Sequence, residues 1–157
     1  MNNYNFAKEN EETEIKRKEK VVMVGGGFDP LHLGHLMKLK SAKALGDKLV
    51  VALDGDEYLI KKKGKVFMPA EDRFMIMKEL KCVDEVIMIG KGSIADAILQ
   101  IKPDIYAHGG YKDSIGTLVK EEVEACKKVG TEIVFNVGGA KIRSSSELLK
   151  RWVEDKV

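Results

Sequence analysis

The sequence reads VVMVGGGFDPLHLGH over residues 21–35, and this stretch decides the fold. Its four leading apolar residues predict a buried strand, which three glycines bring to an end. From Leu33 to Leu45 the pattern changes to the spacing of a helix. A glycine-rich turn between a strand and a helix offers free amide groups and the positive end of the helix, both of which favour phosphate.

The same change between strand and helix patterns repeats along the rest of the chain. Nearly continuous apolar strands that alternate with helices are typical of a parallel sheet with helices on both faces. We therefore expect a three-layer α/β fold around a parallel five-stranded sheet, with ligands beyond the carboxyl ends of the strands. Further strands are predicted at 48–53, 85–89, 104–107 and 131–135, and further helices at 69–80, 94–101, 118–129 and 145–153.

Composition indicates a single domain. The chain has 157 residues, 44% of them hydrophobic, which is enough for one buried core. We expect this domain at residues 21–157, after a flexible charged tail at residues 1–20. Basic and acidic residues number 27 and 25, so bulk charge gives no case for a nucleic-acid partner. Neither a signal peptide nor a run of about twenty apolar residues is present, so we expect a cytoplasmic protein without a membrane partner.

Two of the three histidines lie at the predicted start of the first helix. His32 and His35 are three residues apart, so their side chains share one helix face, and Gly34 leaves space between them. Paired imidazoles at a phosphate site can donate hydrogen bonds to phosphate oxygens as charge builds up in a transition state. We therefore predict that His32 and His35 are catalytic.

The segment Phe28–His35 resembles the His-x-Gly-His signature of the cytidylyltransferase-like nucleotidyltransferase superfamily. The resemblance covers most of residues 21–153, and it is strongest to glycerol-3-phosphate cytidylyltransferases, heptose-phosphate adenylyltransferases and archaeal FAD synthetases. It implies a Rossmann-like nucleotide-binding sheet, Mg²⁺ bound to the nucleotide, and direct in-line attack without a covalent enzyme intermediate. It also leaves a homodimer open.

The resemblance implies a nucleotide-binding set that surrounds the glycine-rich turn and the start of the last predicted helix. Ser144 followed by Glu147 is also a capping box, and a cap can donate to phosphate as well. The segment His108-Gly109-Gly110-Tyr111 departs from the Gly-Gly-Asp or Gly-Asp-Asp of similar proteins. The identity of the nucleotide base therefore stays open, with a slight preference for ATP over CTP. The predicted contacts are Gly26, Gly27, Phe28, Asp29, His32, His35, His108, Gly109, Ser144, Ser145 and Ser146.

A second predicted set binds the acceptor's phosphate. The run Lys61–Lys65 is predicted to form a loop after the second strand, and its point charges suit a phosphate. Arg73 stands at the start of a predicted helix, where the similar families use an arginine for the acceptor. A solvated basic loop and a surface arginine paired with a carboxylate are the ordinary alternatives. The predicted acceptor-binding residues are Asp54, Lys62, Lys63 and Arg73.

The expected reaction joins a nucleoside monophosphate from ATP or CTP to a phosphorylated sugar or polyol and releases pyrophosphate. His32, His35, Lys63 and Arg143, with Mg²⁺, are expected to align the reactants and neutralise charge. No protein-bound metal site is predicted, since Cys82 and Cys126 lack zinc-binding spacing. The alternatives are a non-catalytic nucleotide sensor of the same fold and, less favoured, an NAD-dependent dehydrogenase, whose fingerprint lacks its third glycine here.

Overall fold

The computed structural model describes residues 17–109 and 114–154 of the chain. Strands and helices alternate, apart from two consecutive helices after the second strand and a short 3₁₀ turn at Ile115–Thr117. The strands are β1 (Val21–Gly26), β2 (Lys48–Asp54), β3 (Glu85–Ile89), β4 (Ile105–Gly109) and β5 (Glu132–Val137). The helices are α1 (Leu33–Lys43), α2 (Asp56–Lys63), α3 (Ala70–Lys78), α4 (Ile94–Ile101), α5 (Lys120–Val129) and α6 (Ser145–Glu154).

The five strands form one parallel sheet in the order β3-β2-β1-β4-β5. Its core has two sides because successive strand residues face opposite ways. Val22 and Val24 pack towards α1 and α3, whereas Met23 between them packs towards α4 and α5. The predicted three-layer α/β fold with a parallel five-stranded sheet is therefore confirmed. The strand order reverses between β1 and β4, where open sheets of this kind bind ligands.

Helix α2 differs from the prediction of a loop at Lys61–Lys65. The first three of these lysines form the last turn of α2, which ends at Gly64 in the left-handed conformation, with φ of 87°. Asp56 and Glu57 occupy the first turn, so acidic residues lie at its positive end and lysines at its negative end. These terminal signals stabilise a helix that has little apolar surface.

Aspartates tie the strands together at the edge of the sheet opposite to the carboxyl ends. Asp47, Asp84 and Asp104 each precede a strand, and each carboxylate accepts an amide of the neighbouring strand or of the residue before it, at 2.6–2.8 Å. The bonds from the Lys20 amide to Asp47 and from the Val21 amide to Asp104 hold the pKa of both carboxyls below the usual value. Residues 17–20 form hydrogen bonds with Asp47 and Asp104 here, and the rest of the predicted tail lies outside the described residues.

Two further sequence-based expectations concern cysteines and membranes. Cys82 is half-buried and Cys126 is buried, and both are free thiols. Within the described ranges, no helix combines the length and the apolar character needed to cross a membrane.

Arg73 is buried beneath the carboxyl ends of β1 and β2, and its side chain has no exposed surface. Its guanidinium donates to the carbonyls of Gly27 and Asp54 at 2.8 Å, and its Nε donates to that of Met68 at 2.9 Å. An ion pair with Asp56 at 2.7 Å completes this set of contacts. The prediction that Arg73 binds the acceptor is therefore wrong, because its charge is enclosed and its donors join two strand ends to α2 and α3.

We expect Arg73→Met to lower the free energy of unfolding by about 3 kcal/mol or more, since the carbonyls and Asp56 would lose a buried partner. Urea unfolding followed by circular dichroism measures this change. Lys78→Met, an exposed lysine change on the same helix, is the control and should stay within about 0.5 kcal/mol of the wild type. Unchanged stability together with a raised KM for the acceptor would instead favour a binding role.

Candidate active site

The two histidines lie at the junction between β1 and α1. His32 is the residue before the helix, and its carbonyl accepts the amides of His35 at 2.9 Å and Leu36 at 3.2 Å. The two imidazole rings stack with centroids 3.7 Å apart and planes 18° from parallel. A Cβ atom at Gly34 would come within about 3.0 Å of the His32 ring, so a larger residue there would push this ring from its place in the stack by a few tenths of an ångström. The shared face predicted for the two histidines is confirmed.

Both imidazoles are electrically neutral at pH 7 in the unliganded protein. Burial, followed by repulsion from His32 when it is protonated and from Lys38 and Lys63, lowers the pKa of His35 to about 3. Burial, followed by Arg143 and Lys141, lowers the pKa of His32 below its usual value. The Nδ1 atoms of both rings are buried and have no hydrogen-bond partner among the described residues. Two uncommitted imidazoles among cations are suited to an anionic ligand.

A cleft of about 220 Å³ opens over the histidines at the carboxyl ends of β1 and β4. One wall is the start of α1, and the other is the segment after β5 together with the start of α6. Gly138 lets these walls meet, because it has φ of 90° and a side chain there would strike the backbone of Lys38. The described lining holds four cations and no carboxylate, the cations being Lys38, Lys63, Lys141 and Arg143.

The serine-rich segment contributes both structure and donors to this cleft. The Ser144 hydroxyl accepts the Glu147 amide at 3.1 Å, which confirms the predicted cap of α6. Ser145 is buried and donates to the carbonyl of Pro30 at 2.9 Å, so α6 is tied to the loop that carries His32. Ser146 lines the cleft beside them. The start of α6 thus points free amides and the Arg143 charge at the histidines.

Several predicted site residues meet in this cleft, and others do not. The lining includes His32, His35, Lys63, Gly109, Arg143, Ser144, Ser145 and Ser146. Gly26, Gly27 and Phe28 are absent from that lining, and Phe28 supports the site from behind, with its ring 5.0 Å from that of His35 and edge-on to it. The last two residues of the predicted His108–Tyr111 segment lie outside the described residues.

Asp29 does not contact the nucleotide cleft, contrary to prediction. It is 2% exposed, and its carboxylate accepts the amides of Phe67 at 2.8 Å and Met68 at 2.7 Å. Both oxygens are therefore committed to the backbone that precedes α3. Asp29 is a positioning residue in this structure.

His108 is likewise enclosed and does not line the cleft. It is 6% exposed, its ring lies edge-on to Tyr106 with centroids 4.3 Å apart, and it stacks against Phe135 at 6.2 Å. Tyr106 belongs to the core on the α4 and α5 side of the sheet, away from α1. The structure thus shows the His108 ring packed against its neighbours, and its contact with the nucleotide stays a prediction.

Of the four predicted acceptor-binding residues, only Lys63 lines a cleft. The Asp54 side chain is buried, which raises its pKa, and Lys62 lies over the ring of Tyr58 at 5.5 Å. The sequence also held a signal for Lys38, which follows His35 by three residues and so shares its helix face. Gly138 and Lys141 were missed because nothing in their spacing relates them to α1.

A second cleft of about 630 Å³ adjoins the first. It lies between α6 and the segment that joins α2 to α3, and it shares Lys63 and Ser146 with the nucleotide cleft. Most of its other lining residues have apolar side chains or lysines. They are Asp29, Lys65, Val66, Phe67, Leu149, Lys150, Trp152, Val153 and Glu154.

Known proteins match the chain over most of its length. A family model described as cytidylyltransferase-like matches residues 23–151. The FAD synthase of Pyrococcus abyssi is 41% identical over 106 residues, which cover 66% of this chain and 72% of that protein. The bifunctional protein HldE of Helicobacter pylori is 37% identical over 116 residues, which cover 71% of this chain and 25% of HldE. The chain thus spans about a quarter of the length of HldE.

The fold also matches a solved structure. The lipopolysaccharide core biosynthesis protein from Thermoplasma volcanium GSS1 has a TM-score of 0.62 and 34% identity. The match covers 74% of this chain and 95% of that chain. The sequence comparisons and the structural comparison therefore indicate the same group of proteins.

We expect the free energy of unfolding to fall as the pH drops below about 6.5, because His35 gains a proton in the unfolded chain but not in the folded one. One such group contributes a slope of at most about 1.4 kcal/mol per pH unit. Urea unfolding between pH 7 and pH 4 measures the slope for the wild type and for His35→Gln. The variant should have a shallower slope, and equal slopes would contradict the neutral state of His35.

Proposed function

Because the chain belongs to the cytidylyltransferase-like family of nucleotidyltransferases, we propose that it transfers AMP from ATP to a phosphorylated acceptor and releases pyrophosphate. The observation that carries this proposal is the nucleotide cleft, whose described lining brings four cationic side chains and no carboxylate around two neutral imidazoles. The negative charge of a triphosphate suits a site with this composition. The site lies at the switch in strand order between β1 and β4, where sheets of this type bind their ligands.

In the proposed reaction, an oxygen of the acceptor phosphate attacks the α-phosphorus of ATP. The new bond is a P–O bond of a diphosphate, and the bond from the α-phosphorus to the bridging oxygen of the leaving pyrophosphate breaks. The acceptor phosphate is ionised at pH 7, so no side chain is needed to remove a proton. The enzyme's task is then alignment and charge stabilisation.

We propose a separate role for each wall of the cleft. His32 and His35 donate hydrogen bonds to the α-phosphate oxygens, where charge develops. The start of α6, with Ser144–Ser146 and Arg143, receives the β- and γ-phosphates. Lys63 lies on the border between the two clefts, so it is placed to hold the attacking and the transferred phosphates together.

We propose that Mg²⁺ enters with the nucleotide. In the described part of the chain, no group of three His, Cys, Asp or Glu side chains is placed to bind a metal ion. A divalent ion on the triphosphate would neutralise phosphate charge. A cytoplasmic location and a homodimer stay predictions.

Flavin mononucleotide is the acceptor we propose first. FAD is FMN joined to AMP, and a relative named FAD synthase matches 72% of its own length, whereas HldE matches 25%. This choice replaces the sugar or polyol phosphate expected from the sequence. A sugar phosphate is the second candidate, supported by the likeness to HldE and to the lipopolysaccharide core biosynthesis protein.

A pyrophosphate-release screen tests the reaction and the substrates together. We expect release with ATP and FMN, slower or no release with CTP, and little with glycerol 3-phosphate or sugar phosphates. Chromatography should show FAD formed in equal amount to pyrophosphate. If no combination of nucleotide and acceptor releases pyrophosphate, the chain is a nucleotide-binding sensor and not an enzyme.

We expect His35→Ala to lower kcat by about 100-fold or more, which is the usual cost of losing one donor to a transition state. Steady-state kinetics with ATP and the best acceptor of the screen measure it. Exposed Lys40→Ala on the same helix is the control and should keep kcat within about twofold. Near-normal turnover in His35→Ala would remove this histidine from the mechanism.

A further inference from the structure

We infer that the second cleft holds the organic part of the acceptor, and that Phe67 and Trp152 select an acceptor with a planar aromatic ring system. This inference rests on the proposed transfer to a phosphorylated acceptor, and it assigns the residues that choose among such acceptors. It concerns a cleft in which none of the predicted site residues except Asp29, Lys63 and Ser146 lies.

The position of the cleft supports this assignment. It is continuous with the nucleotide cleft through Lys63 and Ser146. An acceptor phosphate at Lys63 would lie at the border, with its organic part directed away from ATP and into the second cleft. Lys65 adds positive charge next to Lys63, whereas Lys150 pairs with Glu154 at 3.6 Å, so the charge that suits a phosphate lies at the Lys63 end of the cleft.

The chemistry of the walls favours an aromatic ring. Phe67 is 57% exposed and Trp152 is 67% exposed, although rings of this size gain much free energy from burial. The remaining apolar lining comes from Val66, Leu149 and Val153. A planar aromatic group could cover these apolar faces and stack on the rings, whereas a sugar would leave them exposed to water.

Both aromatic walls are anchored to the loop that carries the histidines. Asp29 accepts the amide of Phe67, and the Pro30 carbonyl accepts the hydroxyl of Ser145 at the start of the helix that bears Trp152. Neighbouring residues of one loop thus fix the two sides of the cleft. The rings therefore have a defined position relative to the site of phosphoryl transfer.

FMN is the probe for the experiment, because stacking on tryptophan quenches flavin fluorescence, and because the anisotropy of flavin emission rises on binding even in a variant that lacks the tryptophan. Titration of FMN with wild-type protein should quench its emission. Phe67→Ala and Trp152→Ala should each raise the Kd for FMN by about tenfold, as expected for the loss of a stacking partner. The control, Met75→Ala, changes a side chain that is 56% exposed on α3 and outside the cleft, so Kd should not change.

Kinetics separate an aromatic-selecting role from a structural one. In both alanine variants the KM for FMN should rise by about tenfold with kcat within about threefold, and Phe67→Tyr and Trp152→Phe should restore it. The melting temperature should match that of the wild type, because both side chains are exposed. Unchanged KM and Kd for FMN in Phe67→Ala and Trp152→Ala would overturn the inference.

Other outcomes also decide between the two proposals. If FMN binds with the predicted mutational pattern but no pyrophosphate appears, the proposed function fails and the assignment of the cleft stands. If pyrophosphate is released with a sugar phosphate while FMN neither binds nor reacts, the assignment of the cleft fails alone. If Trp152→Ala converts a dimer to a monomer and leaves FMN affinity unchanged, a second copy of the chain occupies the cleft and the inference is wrong.

Discussion

The buried carboxylate of Asp29 is the constraint on which the site depends. An isolated carboxylate is expensive to bury, so the two amides of Phe67 and Met68 that it accepts must stay in place. The adjoining Pro30 carbonyl accepts Ser145, and the Gly27 carbonyl accepts Arg73. Three sets of hydrogen bonds therefore fix the loop between β1 and α1. Each set comes from a segment that forms a wall of one of the two clefts or that supports the site from below.

Charge is used in two opposite ways around this loop. Arg73 is enclosed, and carbonyl groups together with Asp56 satisfy its donors, so its charge stabilises the fold and is unavailable to a ligand. Arg143 and Lys63 line the nucleotide cleft, whose described lining contains no carboxylate to pair with them. Burial, together with repulsion from nearby cations, keeps the histidines neutral. A bound polyanion would relieve that repulsion, so the same excess of positive charge favours both ligand binding and the chemistry.

The sequence predicted the sheet well because its three central strands are buried on both faces and therefore read as apolar runs. It also predicted the histidine pair, since their spacing and their neighbours are local. Arg73 was misassigned because a sequence shows which side chains are charged but not how deeply they are buried. The partners of Arg73 are backbone carbonyls at Gly27 and Asp54, which no residue pattern reveals. The second cleft depends on how α6 sits against a distant loop, so it was beyond prediction.

The division between the two clefts has a physical consequence for specificity. The nucleotide cleft is built on strand ends of the central sheet, so changes in its walls would disturb the core as well as the ligand. The second cleft is walled by α6 and by the segment after α2, neither of which pairs with a strand. Its aromatic side chains are exposed, and exposed positions tolerate substitution at little cost to folding. The acceptor's ring can therefore be selected at positions such as Phe67 and Trp152 while the histidines and the phosphate contacts stay unchanged.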